Sequence, residues 1–195
     1  MATIYKTLHT TTLSEDAPLD RPQQVMARAV KLSDPATSVV TDLSRVAAIT
    51  IDPFASLDDA NARMIAAGVR LLFVTDQAAR VVGIITSRDL AGDRAINYVK
   101  EHGGTRADIT VRDIMTPRLK IEVLDGAEIE KARVGDIVET LKRMGRQHAL
   151  VIRKTGEGRS RITGVISSTQ ISKQTGEDFS TAGVAGSMAE LAART

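Results

Sequence analysis

The feature that most constrains this chain is a duplication. Residues 56–68, SLDDANARMIAAG, and residues 133–145, RVGDIVETLKRMG, align glycine on glycine, Gly68 with Gly145. Leu57, Ala60, Met64 and Ala67 then fall opposite Val134, Ile137, Leu141 and Met144. The i, i+3, i+7, i+10 spacing predicts one apolar helical face in each copy. Each glycine stands where a left-handed C-terminal cap belongs. Ser56 is the expected N-cap of the first helix, with Asp59 at the capping-box position. The second helix has no obvious cap at Arg133.

Short buried strands follow both glycines, Leu71 to Val74 and Ala149 to Ile152. A polar turn, TDQAAR or RKTGEGRSR, leads from each into another strand, Val81 to Ile85 or Ile162 to Ile166, as in a hairpin. These second strands align Gly83 with Gly164, and a longer turn in the second copy absorbs the change of register. Each strand ends in a polar step and a helix start, IITSRDL or VISSTQI. Ahead of each copy lies an extended segment, with Ile49 and Ile51 in one and Leu119, Ile121 and Val123 in the other. The unit is therefore βαββα, present twice. One copy of about 60 residues is a marginal fold. The expected architecture is α+β, two repeats packed through their sheets about a pseudo-twofold axis.

Composition narrows the function classes. The chain has 195 residues, 43% of them hydrophobic and 26% charged, an ordinary globular balance. No apolar run approaches the roughly 20 residues of a membrane span, and MATIYKTLHTTTLSED has no signal-like core. The 26 basic and 24 acidic residues are interspersed and aromatics are 3%, against nucleic acid as the main partner. With no cysteine and three scattered histidines, His9, His102 and His148, no metal site is expected. A cysteine-free chain fits the cytoplasm, the expected location.

The expected divisions are an N-terminal extension with a short helix (1–38, helix Asp20 to Leu32), repeat 1 (39–104), repeat 2 (105–176) and a small-residue tail (177–195). Asp93 to Lys100 reads as a helix stopped by Gly103 and Gly104, and Asp125 to Ala132 as a surface loop or extra helical turn. Arg70, Lys120 and Arg146 are within reach of a phosphate but read as solvated charges, and His148 reads as a structural histidine at the start of a buried strand.

Both copies resemble CBS domains, the cystathionine β-synthase type regulatory module. The similarity is carried by TIDPFASLDDANARMIAAGVRLLFVTD, by VVGIITSRDL with its Thr-x-x-Asp step, by the lead-in VRDIMTP, and by IVETLKRMGRQHALVI with ITGVISSTQI. It covers roughly Val39 to Gly176. The resemblance implies two packed βαββα copies in a disc-like module, dimerisation, and adenosine-containing ligands in clefts between the copies. It also implies regulation of a partner protein rather than catalysis.

By itself Thr86-x-x-Asp89 is a capping box. Within this resemblance it becomes a ribose-phosphate site. A carboxylate accepts hydrogen bonds from both ribose hydroxyls, and charge assistance strengthens them. Thr86, Ser87, Arg88 and Asp89 are the expected ligand-binding residues, with the helix start and Arg88 facing phosphate. Ile49, Ile51, Leu71 and Leu72 are the expected adenine cleft. In the second copy Ser167, Thr169 and Gln170 replace Thr86, Arg88 and Asp89, and His148 replaces Leu71. Glutamine lacks the anion, so this second site is expected to be weakened.

No G-x-S-x-G elbow, Walker loop or HExxH motif is present, and no catalytic residue is expected. The expected function is a stand-alone regulatory module that requires no cofactor. It binds an AMP-, ADP- or ATP-like regulatory ligand, forms a homodimer and signals to a target protein. A dinucleotide or S-adenosylmethionine stays open as ligand. The alternative is a ligand-free dimerisation or interaction scaffold.

Overall fold

The structure, a computed structural model, describes residues 29–156 and 158–179 together with Thr10 and Thr12. Its first half contains β1 (Val40–Asp42), β2 (Thr50–Ile51), α1 (Leu57–Ala67), β3 (Leu71–Thr75), β4 (Val81–Thr86), α2 (Ser87–Ala91) and α3 (Asp93–His102). The second contains α4 (Val111–Ile114), β5 (Thr116–Pro117), β6 (Val123–Asp125), α5 (Gly126–Ile129), α6 (Val134–Met144), β7 (His148–Lys154), β8 (Ser160–Ser167) and α7 (Ser168–Thr175). Short 3₁₀ turns lie at Ala36–Val39, Arg106–Asp108 and Arg118–Lys120. Among the described residues no helix is long and apolar enough to cross a membrane.

The two main helices end as their sequences require. Ser56 accepts the Asp59 amide at 3.0 Å, and Gly68 and Gly145 take φ of 64° and 60°. Those angles suit glycine because it lacks the Cβ that penalises the left-handed region. The missing cap of α6 is supplied by backbone from far away in sequence. The Val134 and Gly135 amides donate to the carbonyls of Asp34 and Leu32, each at 2.9 Å, while Asp136 accepts the Arg133 amide at 2.8 Å. These bonds satisfy amides that a helix start otherwise leaves unpaired.

The chain before the first repeat is thereby fastened to the second. Ala29 to Leu32, expected as the end of a helix, is not helical, because the Val30 amide pairs with the Gln174 carbonyl at 2.9 Å. The rest of that expected helix lies outside the described residues, as does the tail beyond Phe179.

Strands alternate their side chains between two faces. On β3, Leu72 and Val74 face the helices with Leu57, Ala60, Met64 and Ile85. On β7, Ala149 and Val151 do the same with Val134, Ile137, Leu141 and Ile166. Leu71, Phe73 and Leu150 point the other way and pack the two sheets together, with Ile84, Ile121 and Val165 around them. Full burial of a leucine such as Leu57, 2% exposed, contributes about 1.5–3 kcal/mol.

Each sheet has four strands, in the orders β2-β3-β4-β5 and β6-β7-β8-β1. The fourth strands are exchanged. β1, which leads into the first repeat, pairs antiparallel with β8 of the second, Thr41 opposite Val165. β5, which leads into the second repeat, pairs with β4 of the first, Ile84 opposite Thr116. The extended stretch expected from Leu119 to Val123 is therefore interrupted. The chain must turn from one sheet to the other, so Arg118–Lys120 forms a 3₁₀ turn, Leu119 is 93% exposed, and β6 starts only at Val123. The Asp125 to Ala132 segment supplies a helical turn, α5, with Asp125 accepting the Ala127 amide.

Gly83 and Gly164 are where the exchanged strands cross closest. A Cβ on Gly83 would lie 2.6 Å from Met115 Sδ and 2.8 Å from the Thr116 carbonyl oxygen. One on Gly164 would lie 2.5 Å from Val40 Cγ1 and 3.3 Å from the Thr41 carbonyl oxygen. Overpacking of this kind costs about 1–3 kcal/mol. Gly83→Ala, blocked by backbone, is expected at the upper end of that range in urea unfolding. Gly164→Ala meets mainly a side chain, and adding Val40→Ala should restore part of its loss. Equal, unrescued losses at both sites would contradict this account.

Candidate functional site

β4 delivers Thr86 to the start of α2, and the helix turns Asp89 back over it. Asp89 Oδ2 accepts the Thr86 amide at 2.8 Å and the Thr86 hydroxyl at 2.7 Å, while the Asp89 amide donates to Thr86 Oγ1 at 3.3 Å. The same box recurs at Thr105 with Asp108 and at Thr110 with Asp113, with amide-to-carboxylate distances of 2.8 Å in both. Thr-x-x-Asp therefore caps three times among the described residues. Asp89 differs in what surrounds it. Its side chain is 12% exposed, its free Oδ1 pairs with Arg94 Nη1 at 3.0 Å, and it lines a cleft of about 410 Å³.

Both repeats build that cleft. Ile84, Thr86, Arg88 and Asp89 come from the first repeat, and Gly145, Arg146, Gln147, His148 and Leu150 from the second, with Lys120, Ile121 and Glu122 from the segment between them. Four cations line it, Arg88, Arg94, Lys120 and Arg146, against the anions Asp89, Asp93 and Glu122. Lys120 and Arg146, expected as solvated charges, are exposed and also line this cleft. Arg94 was not expected at all. It sits on α3 five residues from Asp89, a spacing with no motif, and also donates to the Ile114 carbonyl at 2.8 Å and to Thr116 Oγ1 at 3.3 Å.

The backbone donors expected at the helix start are largely engaged. The Ser87 amide donates to the Arg70 carbonyl at 3.0 Å, and Ser87 does not line the cleft. The Thr86 hydroxyl is committed to Asp89. The cationic side chains, rather than this five-residue helix, are what the cleft offers an anion.

The expected adenine residues are not beside Asp89. Leu72 is fully buried in the first repeat's helix-side core and Ile51, 7% exposed, lies there too, because alternation turns both away from the other sheet. Ile49 and Leu71 line a second cleft of about 240 Å³. Facing sheets place each polar step against the strand start of the opposite repeat. Asp89 therefore meets the Gly145 to Leu150 segment, while Ser167, Thr169 and Gln170 meet Gly68 to Phe73. Arg70, also expected as a solvated charge, reaches across that second cleft and donates to Thr169 Oγ1 at 3.4 Å.

His148 lines both clefts. Burial pushes its pKa down from 6.5 to about 4, and the positive charge of Arg70 acts in the same direction, while Asp89 opposes them. It is a neutral imidazole between the two sites near pH 7. Among the described residues no group of His, Asp and Glu is placed to hold a metal ion.

Comparisons with known proteins place these observations. The family model of the CBS domain matches residues 40–94. The fold is similar to that of the CBS-domain containing protein ATU1752 from Agrobacterium tumefaciens, with 21% identity and a TM-score of 0.51, covering 80% of this chain and 98% of that one. The CBS domain pair of MJ0100, solved with 5′-methylthioadenosine and S-adenosyl-L-methionine, gives 21% identity and a TM-score of 0.49 over 74% of this chain and 94% of its own. CBSX2, an Arabidopsis thaliana protein solved with AMP, gives 17% and 0.49 over 83% and 99%. No curated protein sequence matches the chain.

The depressed His148 pKa has a consequence for stability. Between pH 6.5 and 4 the unfolded chain protonates this histidine and the folded chain resists, so stability falls as pH drops through that window. The loss is on the order of 2 kcal/mol, less than the full shift implies, because His148 keeps partial contact with solvent. His148→Gln is expected to flatten the stability profile across that window, measured by urea unfolding at a series of pH values. An unchanged slope would show that His148 is not the group responsible.

Proposed function

Because the chain carries a CBS domain over residues 40–94, we propose that the Asp89 cleft binds an adenosine-containing ligand of the AMP, ADP or ATP class. In this reading the protein is a regulatory module and not an enzyme. The observation that carries it is the mostly buried carboxylate of Asp89 on the wall of a two-repeat cleft lined by Arg88, Arg94, Lys120 and Arg146.

The ribose hydroxyls take Asp89 Oδ1, where Arg94 now sits, and Oδ2 stays with the Thr86 amide and hydroxyl. Arg94, displaced, turns its guanidinium to the phosphate beside Arg88, Lys120 and Arg146. The adenine lies toward Ile84, Ile121 and Leu150, the apolar part of the lining. Ligand binding shifts a conformational equilibrium only through different contacts in the two states. Arg94 supplies such a difference. Leaving Asp89 disturbs a residue that also holds the Ile114 carbonyl and Thr116 on the strand crossing to the other repeat. Through that change a homodimer of the module signals to a target protein.

A second reading has its own support. Asp89 is already satisfied by its capping box and by Arg94, so it needs no ligand to be stable. A ligand-free scaffold would look the same. Calorimetric titration of the full chain with AMP and ATP separates the two. Binding is expected, and Asp89→Asn, which keeps an acceptor for the cap, should weaken it by roughly 10- to 100-fold, the worth of about 1.5–3 kcal/mol for a charged hydrogen bond. Asp108→Asn, which alters an equivalent box outside this cleft, should leave it unchanged. No binding of either nucleotide, or equal losses in both variants, favours the scaffold.

Arg94→Ala gives an independent check. It frees Asp89 Oδ1 and removes a phosphate partner. Adenosine is expected to bind it more tightly than it binds the unaltered protein, and ATP more weakly. Parallel changes for the two ligands would rule out this role for Arg94.

A further inference from the structure

The second cleft has lost more than a carboxylate. Among the described residues that line it, none is acidic. Its polar groups are Arg70, Lys173, Ser167, Thr169, Gln170 and Thr41, together with the neutral His148. Arg70 and Lys173 are donors only, and the glutamine amide and the hydroxyls also donate. The rest of the wall is apolar, formed by Ile49, Val69, Leu71, Phe73 and Val165. A ribose diol needs a strong acceptor pair, and only the single Gln170 amide oxygen stands where Asp89 stands in the other cleft. The volume of about 240 Å³ also falls below the roughly 300 Å³ at which pockets for drug-sized ligands begin.

A donor-rich rim over an apolar floor calls for a small ligand with an acceptor-only head and an apolar body. We propose that this second cleft binds an amphipathic monoanion, a carboxylate on an aliphatic or aromatic body. Arg70 holds the carboxylate, with Lys173 adding charge and the Ile49, Leu71 and Val165 wall taking the body. The guanidinium fork matches a carboxylate in two parallel hydrogen bonds. Arg70's existing contact, to Thr169 at 3.4 Å, is long and yields easily to an anion. The substitution of Gln170 for Asp89's counterpart then changes the ligand class and does not merely weaken a nucleotide site. This inference does not depend on the nucleotide reading of the first cleft.

The test is a titration of the full chain, followed by calorimetry and by protein NMR, with octanoate, 3-phenylpropanoate and octylamine. At least one carboxylate should bind, and the two together distinguish an aliphatic from an aromatic preference. Octylamine, with the same chain and the opposite charge, should not bind. Arg70→Gln is expected to weaken carboxylate binding at least 10-fold, and Lys173→Gln several-fold. Both side chains are exposed and the Arg70 carbonyl bond to Ser87 is backbone, so what Arg70→Gln gives up is the long 3.4 Å contact to Thr169. Gln170→Asp, which restores an anion, should abolish binding, and Asp89→Asn should leave it intact. The proposal is overturned if neither carboxylate binds at about 10 mM, a 2–3 kcal/mol interaction. It is equally overturned if octylamine binds as well as octanoate, or if Arg70→Gln has no effect. A gain in affinity with Asp89→Asn, which removes the first cleft's anion and frees Arg94, would instead place the carboxylate in that cleft and overturn it too. Failure of AMP or ATP to bind leaves these outcomes readable, since they rest on different residues.

Discussion

Leu71 and Phe73 on one sheet meet Leu150 on the other, and this apolar contact holds the two repeats face to face. Phe73 and Leu150 occupy equivalent positions of the duplicated unit, so the contact is one repeat's inner face against its own copy. Burial of this surface provides what neither repeat could supply alone at about 60 residues. It also fixes where sites form. The polar step at the end of β4 or β8 is carried to the strand start of the opposite repeat, and a cleft opens at each of the two places. Strand exchange reinforces the arrangement, because β1 and β5 each leave one repeat to close the other's sheet.

Within this frame the two clefts have diverged by charge. The first gathers four cations and two further anions, Asp93 and Glu122, around the mostly buried Asp89. Arg94 pairs with that carboxylate and ties α3 to the crossing strand through Thr116. The second cleft keeps the hydroxyl of Ser167 but turns its balance to Arg70 and Lys173 with no acidic neighbour among the described residues. His148 stands between the two with its pKa lowered by burial and by Arg70, so each cleft's charge is felt at one shared imidazole.

Local signals are legible in the chain. Ser56, Gly68 and Gly145 mark helix ends by capping chemistry that acts within a few residues, and the apolar spacing of α1 and α6 is visible by eye. Gly83 and Gly164 stand out in the sequence as alignment points, and their physical reason, the close approach of an exchanged strand, lies in the fold. The exchanged strands themselves are two and three residues long, too short for any period to show. No sequence pattern marks Arg94, because its partner is five residues away along the chain and is reached through a turn between two helices. None marks the cap of α6, because its acceptors, Leu32 and Asp34, lie about a hundred residues earlier.

The sequence by itself determined the duplicated βαββα unit, its helix caps, the apolar faces of its strands and the difference between Asp89 and Gln170. These follow from periodicity, from glycine's backbone freedom and from side-chain chemistry, all of which act locally. Only the tertiary structure decided which residues share a cleft. It set Leu71 and Ile49 opposite Gln170 and put His148, Arg146 and Lys120 opposite Asp89. It also turned Ile51 and Leu72 into core. The reason is geometric. Strand alternation says that a side chain faces one of two sides, but what stands on that side depends on how a second sheet, some 80 residues away in the chain, is laid across it.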